Sequence, residues 1–364
     1  MEISENSKSR ESFVEIARGI GIILVVLEHA ISKEMAAHNQ IADVSRFFIY
    51  TVHMPLFIFL SGYLFEKNLP KYLHSSTLAY LERKFSSLMI PYLSFSVLNY
   101  LIVAVGLEIP IISKILTNQG YVIHSIWSSV FSILTYTNHL DGHLWFCYLL
   151  FLLLLINRTI LKENSLLCFI FLLCLNWFNY LLVFFCGTDV IPDMAHRVFH
   201  YMFIFSAGRL CLSKENFFSS QKWLAPLSCA GFILLVLLRN NRCTIAQYLV
   251  TPCIELLFAS LLLFRLPQIF LHRSNKLVSL TKNALMYVGN SRLSFAIYLL
   301  HMPFVCSALV YVFGSTGIPW LLVTILSALI AGSLSILTYV HVFSKIEWVD
   351  KFLFGNRHNK REKI

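Results

Sequence analysis

Long apolar runs separated by short polar or charged segments fill almost the whole chain. About 20 predominantly apolar residues cover a bilayer core as a helix. By that measure about ten runs read as transmembrane helices: 13–31, 46–65, 88–106, 143–161, 166–186, 197–213, 223–238, 246–264, 292–313 and 318–343. Residues 122–137 are amphipathic, interrupted by His124 and several serines, and are expected to form an extra re-entrant or interfacial helix rather than a further crossing. The pattern predicts an all-α integral membrane protein with one transmembrane domain over 1–364, a polar N-terminal segment over 1–12 and a basic tail over 344–364. The first apolar run holds Glu15, Arg18, Glu28 and His29, which a cleavable signal core does not tolerate, so it is expected to stay as a membrane helix. No internal repeat, low-complexity tract or soluble domain interrupts the series.

Composition sharpens this picture. Of 364 residues 57% are hydrophobic and 13% charged, about half the charge content of a soluble domain. A secreted disulfide scaffold, a disordered chain and an ordinary cytosolic enzyme are excluded. The formal charge of +10 needs no nucleic acid once it is distributed over the loops. With the N-terminus inside, 21 of the 29 Lys and Arg fall in cytoplasmic segments: Lys8, Arg10, Lys67, Lys71, Arg83, Lys84, Arg158, Lys162, Arg209, Lys214, Lys222, Arg265, Arg273, Lys276, Lys282, Lys345, Lys351, Arg357, Lys360, Arg361 and Lys363. Six (Lys33, Arg46, Lys114, Arg197, Arg239 and Arg242) fall outside, and Arg18 and Arg292 lie in helices. This positive-inside bias predicts that both termini are cytoplasmic and that the basic face meets anionic membrane lipids. None of the nine Cys pairs at C-x-x-C spacing, so no zinc or redox site is indicated; they read as small hydrophobes.

Against this background, ionisable residues inside the helices stand out, because each costs about 2.5–3.5 kcal/mol near the bilayer centre. Glu15, Arg18 and His29 share the first helix. At 100° per residue Arg18 and His29 fall on one stripe, roughly 16 Å apart, with Glu15 one turn below Arg18 and able to pair with it. Glu28 should point about 100° away from His29 and is not expected to orient its imidazole. The bland alternatives are snorkelling for Arg18 and a helix-packing hydrogen bond for His29. Together they suggest a polar path reaching deep into the membrane. His53 should lie at similar depth in the second helix, followed by Pro55, which can bend it, and by Ser61 and Gly62, which allow close helix contact. His143 and Trp145 open the fourth helix, where Trp145 also fits an interfacial anchor. Glu255 and His301 read as mid-helix residues of the eighth and ninth spans. Arg83 and Lys84 are either an ordinary positive-inside flank or a cationic mouth for a phosphorylated cytosolic donor.

These residues bring a family into view. Phe13-Val-Glu-Ile-Ala-Arg18-Gly-Ile-Gly-Ile-Ile-Leu-Val-Val-Leu-Glu-His29-Ala resembles the first helix of membrane acyltransferase family 3, with its Arg-x10-His pattern. His53-Met-Pro-Leu-Phe-Ile-Phe-Leu-Ser61-Gly-Tyr-Leu-Phe is similar to its second helix, and Arg83-Lys-Phe-Ser-Ser-Leu-Met-Ile-Pro91-Tyr to the cytoplasmic turn that follows. His143-Leu-Trp145-Phe and Ser294-Phe-Ala-Ile-Tyr-Leu-Leu-His301 match later landmarks. The matches are dense in the first third and sparse afterwards. Glu15 stands where the family often has Asp, a departure that keeps the charge.

The resemblance implies a bacterial inner-membrane O-acyltransferase that moves an acyl group, usually acetyl, from cytosolic acyl-CoA to a hydroxyl of a cell-surface glycan or its polyprenyl-linked precursor. Among stand-alone members the chain looks closest to the fucose 4-O-acetylase-like, capsule and O-antigen acetylases. Acetyl-CoA would be a substrate rather than a resident cofactor. On this reading His29 is the general base or a transient acyl carrier and Arg18 holds donor phosphate or pantetheine. Arg83 and Lys84 bind the donor, while Glu15, His53, Ser61, His143, Trp145, Glu255 and His301 line the substrate site. The rival expectation is a proton-coupled transporter or exporter of a glycan or lipid-linked intermediate, which would also bury His, Glu and Arg. A non-catalytic scaffold leaves the Arg18–His29 stripe without a reason. The sugar, the hydroxyl, the acyl chain and the oligomeric state are not written in the sequence.

Overall fold

A computed structural model describes residues 2–118, 122, 125–137, 142–272 and 275–355. His124, Arg273, Arg357, Lys360, Arg361, Lys363 and the end of the basic tail lie outside the described residues. Among the described residues the regular structure is all helical. The principal helices are α1 (Glu2–Ala30), α2 (Gln40–Leu73), α3 (Thr77–Leu107), α4 (Ile126–Thr135), α5 (Trp145–Thr159), α6 (Leu166–Cys186), α7 (Asp193–Leu210), α8 (Leu224–Asn240), α9 (Thr244–His272), α10 (Lys276–Val288), α11 (Ser291–Leu300), α12 (Phe304–Gly314), α13 (Trp320–His341) and α14 (Glu347–Phe354). Short polar side chains start many of them, satisfying backbone N–H groups that have no partner within the helix. Asn39 caps α2, Ser76 caps α3, Ser165 caps α6, Asn275 caps α10 and Asn290 caps α11.

Each apolar run predicted to span coincides with helix, but the helices are not equivalent. Among the described residues five (α2, α3, α6, α9 and the α13 region) are long and apolar enough to cross a membrane, and a sixth follows if α11 and α12 form one broken span. α5 and α8 are apolar but shorter, and α1 and α7 carry charges within their length. In α6, Leu166, Leu167, Phe171, Phe178 and Phe185 face outward. An exterior of that kind suits lipid rather than water, and the set of apolar helices marks a multi-pass membrane protein. The ten-residue α4 is about 15 Å long, too short to cross by itself.

One expectation is corrected here. The ninth apolar run is not a continuous helix with His301 in its middle. It breaks into α11 and α12, which meet at 56°, and His301 occupies the break. The cause is Pro303, which lacks an N–H and whose ring collides with the preceding turn. Pro55, by contrast, is accommodated inside α2, which runs through it.

The chain divides into two compact units, Met1–His74 with Leu161–Leu337 and Ser75–Ile160 with Thr338–Ile364. In the first, α2 and α7 cross backbone to backbone. A Cβ on Gly62 would strike the Phe205 carbonyl, and one on Gly208 would strike the Phe59 carbonyl. α1 and α10 meet in the same way, with Gly19 against the Leu285 carbonyl and Gly289 against that of Glu15. Small residues serve this purpose in membranes, where packing rather than hydrophobic expulsion joins helices. In the second unit Tyr92 donates to the Ile133 carbonyl at 2.6 Å, tying α3 to α4. There the Tyr339 hydroxyl also reaches Asp350 Oδ1 of α14 at 3.0 Å, giving a fully buried carboxylate its partner.

Candidate active site

Among the described residues, His29, His53 and His301 come from neighbouring elements of the first unit. The last turn of α1 presents Glu28 and His29, α2 contributes Arg46 and His53, and the break after α11 places His301 beside them. The His29 and His301 rings lie 5.2 Å apart, centroid to centroid. His53 Nδ1 donates to the Ile49 carbonyl at 2.7 Å and His301 Nδ1 to the Ile297 carbonyl at 2.9 Å. A neutral imidazole holds one proton, so in both rings Nε2 is the acceptor nitrogen. Accessibility separates the three. His53 and His301 are 2% and 0% exposed, whereas the His29 side chain is 26% exposed.

Glu28 departs from the sequence expectation. Its Oε2 lies 3.2 Å from His29 Nδ1, and its Oε1 accepts from Arg46 Nε at 2.8 Å. The 100° offset between consecutive residues holds for Cβ directions only. A glutamate side chain turns about three bonds, enough to bring its carboxylate back to the neighbouring ring. Arg46, read from the sequence as an outer-loop charge, is a residue of α2 paired with this buried acid.

Arg18 stands about 16 Å below His29 on α1, and its Nη1 donates to the Gly289 carbonyl at 2.9 Å. Part of its hydrogen-bonding capacity thus ties α1 to the end of α10, at the crossing where the Glu15 backbone abuts Gly289. Ser61 donates to the Phe57 carbonyl of its own helix at 2.7 Å, so its hydroxyl proton is already engaged.

Glu255 belongs to a different cluster. His200 Nε2 lies 3.2 Å from Glu255 Oε2, while His200 Nδ1 lies 3.1 Å from both Asn176 Oδ1 and the Tyr180 hydroxyl. Tyr180 stacks on Tyr248 at 4.7 Å. α6, α7 and α9 supply this buried polar set. His200 escapes a sequence reading because its partners are 20, 24 and 55 residues away. A third tie joins Arg209, counted among loop charges but 2% exposed, to Glu66 at 2.7 Å and to the carbonyls of Leu161 and Lys162.

The second unit holds the remaining candidates. Tyr80 is fully buried, with the Lys84 ammonium 5.6 Å and the Arg158 guanidinium 5.8 Å from its ring centre. Ser75 joins the same patch, accepting from Arg83 at its hydroxyl (2.7 Å) and from Arg158 at its carbonyl (3.1 Å). Three cations are therefore gathered around Tyr80 and Ser75, Arg83 being the exposed member. His143 and Trp145 are 4% and 7% exposed at the start of α5. The structure thus brings His29 and His301 together, and places Glu255 with His200 instead.

Comparison with known proteins gives the class. A family model described as an acyltransferase domain, that of the acyltransferase 3 family, matches residues 11–340. The chain therefore belongs to the acyltransferase 3 family and is a membrane-embedded acyltransferase. No curated protein and no solved structure matched it.

Proposed function

We propose that the protein transfers an acyl group, acetyl in the simplest case, from cytosolic acyl-CoA to a hydroxyl of a cell-surface glycan or its lipid-linked precursor. It does so as an inner-membrane enzyme with about ten crossings and both termini cytoplasmic. This acceptor class is that of the fucose 4-O-acetylase-like, capsule and O-antigen acetylases, which the sequence motifs resemble. The observation that carries it is the partly exposed imidazole of His29, held beside the Glu28 carboxylate and the closed His301 ring, in a chain of an acyltransferase family.

The chemistry follows from these groups. His29 removes the proton of the acceptor hydroxyl as the oxygen attacks the thioester carbonyl, and the carbon–sulfur bond then breaks. The imidazolium returns its proton to the departing thiolate, so an ester and free CoA leave and the enzyme is unchanged. His53 and His301 wall the site, and Arg18 supports the donor arm from below.

The patch of Arg83, Lys84 and Arg158 supplies what a polyanionic donor requires, since cationic donors to phosphate contribute about 1.5–3 kcal/mol each. Replacing Arg83 and Lys84 together by Gln should raise the apparent KM for acetyl-CoA about tenfold or more and leave kcat nearly unchanged. Thiol release by purified protein, with a lipid-linked glycan extract of the host as acceptor, measures both. Unchanged KM and kcat would make the two residues topology signals only. The buried His200–Glu255 pair favours one rival, a proton-coupled transporter. In the same preparation, movement of the glycan across vesicles without thiol release would establish that rival.

A further inference from the structure

We propose that Glu28, clamped by Arg46, is the positioning residue of His29: it keeps the imidazole proton on Nδ1 and leaves Nε2 bare toward the acceptor hydroxyl. This rests on the reading of His29 as the base. The other two histidines of the group show what is needed. Each has its Nδ1 pinned by a backbone carbonyl four residues earlier, Ile49 for His53 and Ile297 for His301. His29 Nδ1 faces a side-chain carboxylate instead, Glu28 Oε2 at 3.2 Å. A carboxylate beside one ring nitrogen selects the tautomer protonated there and holds the ring in place. The remaining nitrogen is then the only one able to accept a proton.

Arg46 makes this arrangement workable. Glu28 is only 3% exposed, and a buried carboxylate requires a partner for its charge. With a neutral imidazole alone, the acid would favour a doubly protonated ring, which is no base. Arg46 Nε donates to the second oxygen, Oε1, at 2.8 Å, so each oxygen has its own task. One is neutralised by the guanidinium and the other directs the imidazole. The two residues come from α1 and α2, and the clamp therefore also fixes the end of α1 where His29 stands.

The test uses the full-length protein in lipid nanodiscs with 15N-labelled histidine, without ligand. The 15N shifts distinguish an Nδ1–H ring from an Nε2–H ring and from imidazolium, and the His29 signals are those missing in His29→Gln. Wild type should show His29 as the Nδ1–H tautomer. In Glu28→Gln, whose amide can donate to Nδ1, the Nε2–H form should appear, and kcat with acetyl-CoA and host glycolipid extract should fall about 10–100-fold at unchanged KM. Glu28→Asp should restore part of both readouts. Should Glu28→Gln not fold, Arg46→Gln serves instead and is expected to show His29 as imidazolium. A His29 ring that keeps the same tautomer in Glu28→Gln, whatever happens to kcat, would reduce Glu28 to a helix tie and overturn the proposal. Full activity of His29→Gln with a tautomer shift in Glu28→Gln would instead overturn the reading of His29 as base and leave the clamp standing.

Discussion

Purified His29→Gln is expected to lose transfer by at least the 10²–10⁴-fold that a general base typically contributes, while remaining folded and inserted. Glutamine keeps much of the shape and the hydrogen-bonding capacity of the ring but cannot take up a proton at neutral pH. The substitution therefore removes the chemistry and little else. His29 is singled out by access: its ring is partly open while those of His53 and His301 are closed. His301→Ala, which takes away a closed wall at 5.2 Å and not the base itself, should cost less. Arg18→Lys reports on a different question. It keeps the charge and gives up the planar fork, so partial activity points to charge and none to guanidinium geometry. Thiol release from acetyl-CoA, compared at equal amounts of monodisperse protein, measures all three. Near-wild-type transfer by His29→Gln would return that residue to helix packing.

The second large effect is structural. Gly62→Leu should abolish the folded protein or lower its thermal midpoint sharply, a loss beyond about 4 kcal/mol. The obstacle to a side chain there is the Phe205 carbonyl on the facing helix, and Gly208 meets the Phe59 carbonyl reciprocally. Backbone cannot swing aside as a rotamer does, so α2 and α7 must separate. That separation displaces the helix that carries Arg46 and His53. By contrast Gly332→Ala in α13, where a Cβ meets nothing within 4 Å, should be tolerated. A thermal unfolding scan of both variants in detergent decides it, and a Gly62→Leu protein as stable as wild type would refute the backbone contact.

How much of this is legible in the chain depends on the range of the interaction. Helices follow from apolar runs because lipid and backbone hydrogen bonding leave few alternatives. His29 and Arg18 are conspicuous because charge in an apolar run is costly. Glu28 is misjudged because helical angles describe where a side chain starts and not where a flexible carboxylate ends. Its partner Arg46 comes from another helix and looks like a loop charge. Arg209 is counted as a loop charge for the same reason, although Glu66 and two carbonyls bury it. His200 with Glu255, and Arg158 over Tyr80, join residues far apart in sequence, and no local pattern announces them. The break at His301 is different, since Pro303 two residues on is a local signal that an apolar count passes over.

The most direct test of acyl transfer to a surface glycan is mass spectrometry of that glycan from the host carrying the wild-type gene, lacking it, or carrying His29→Gln at equal membrane abundance. A mass increment of one acyl group, acetyl in the simplest case, is expected with wild type and is expected to be absent in the other two. Identical glycan masses in all three strains would contradict it.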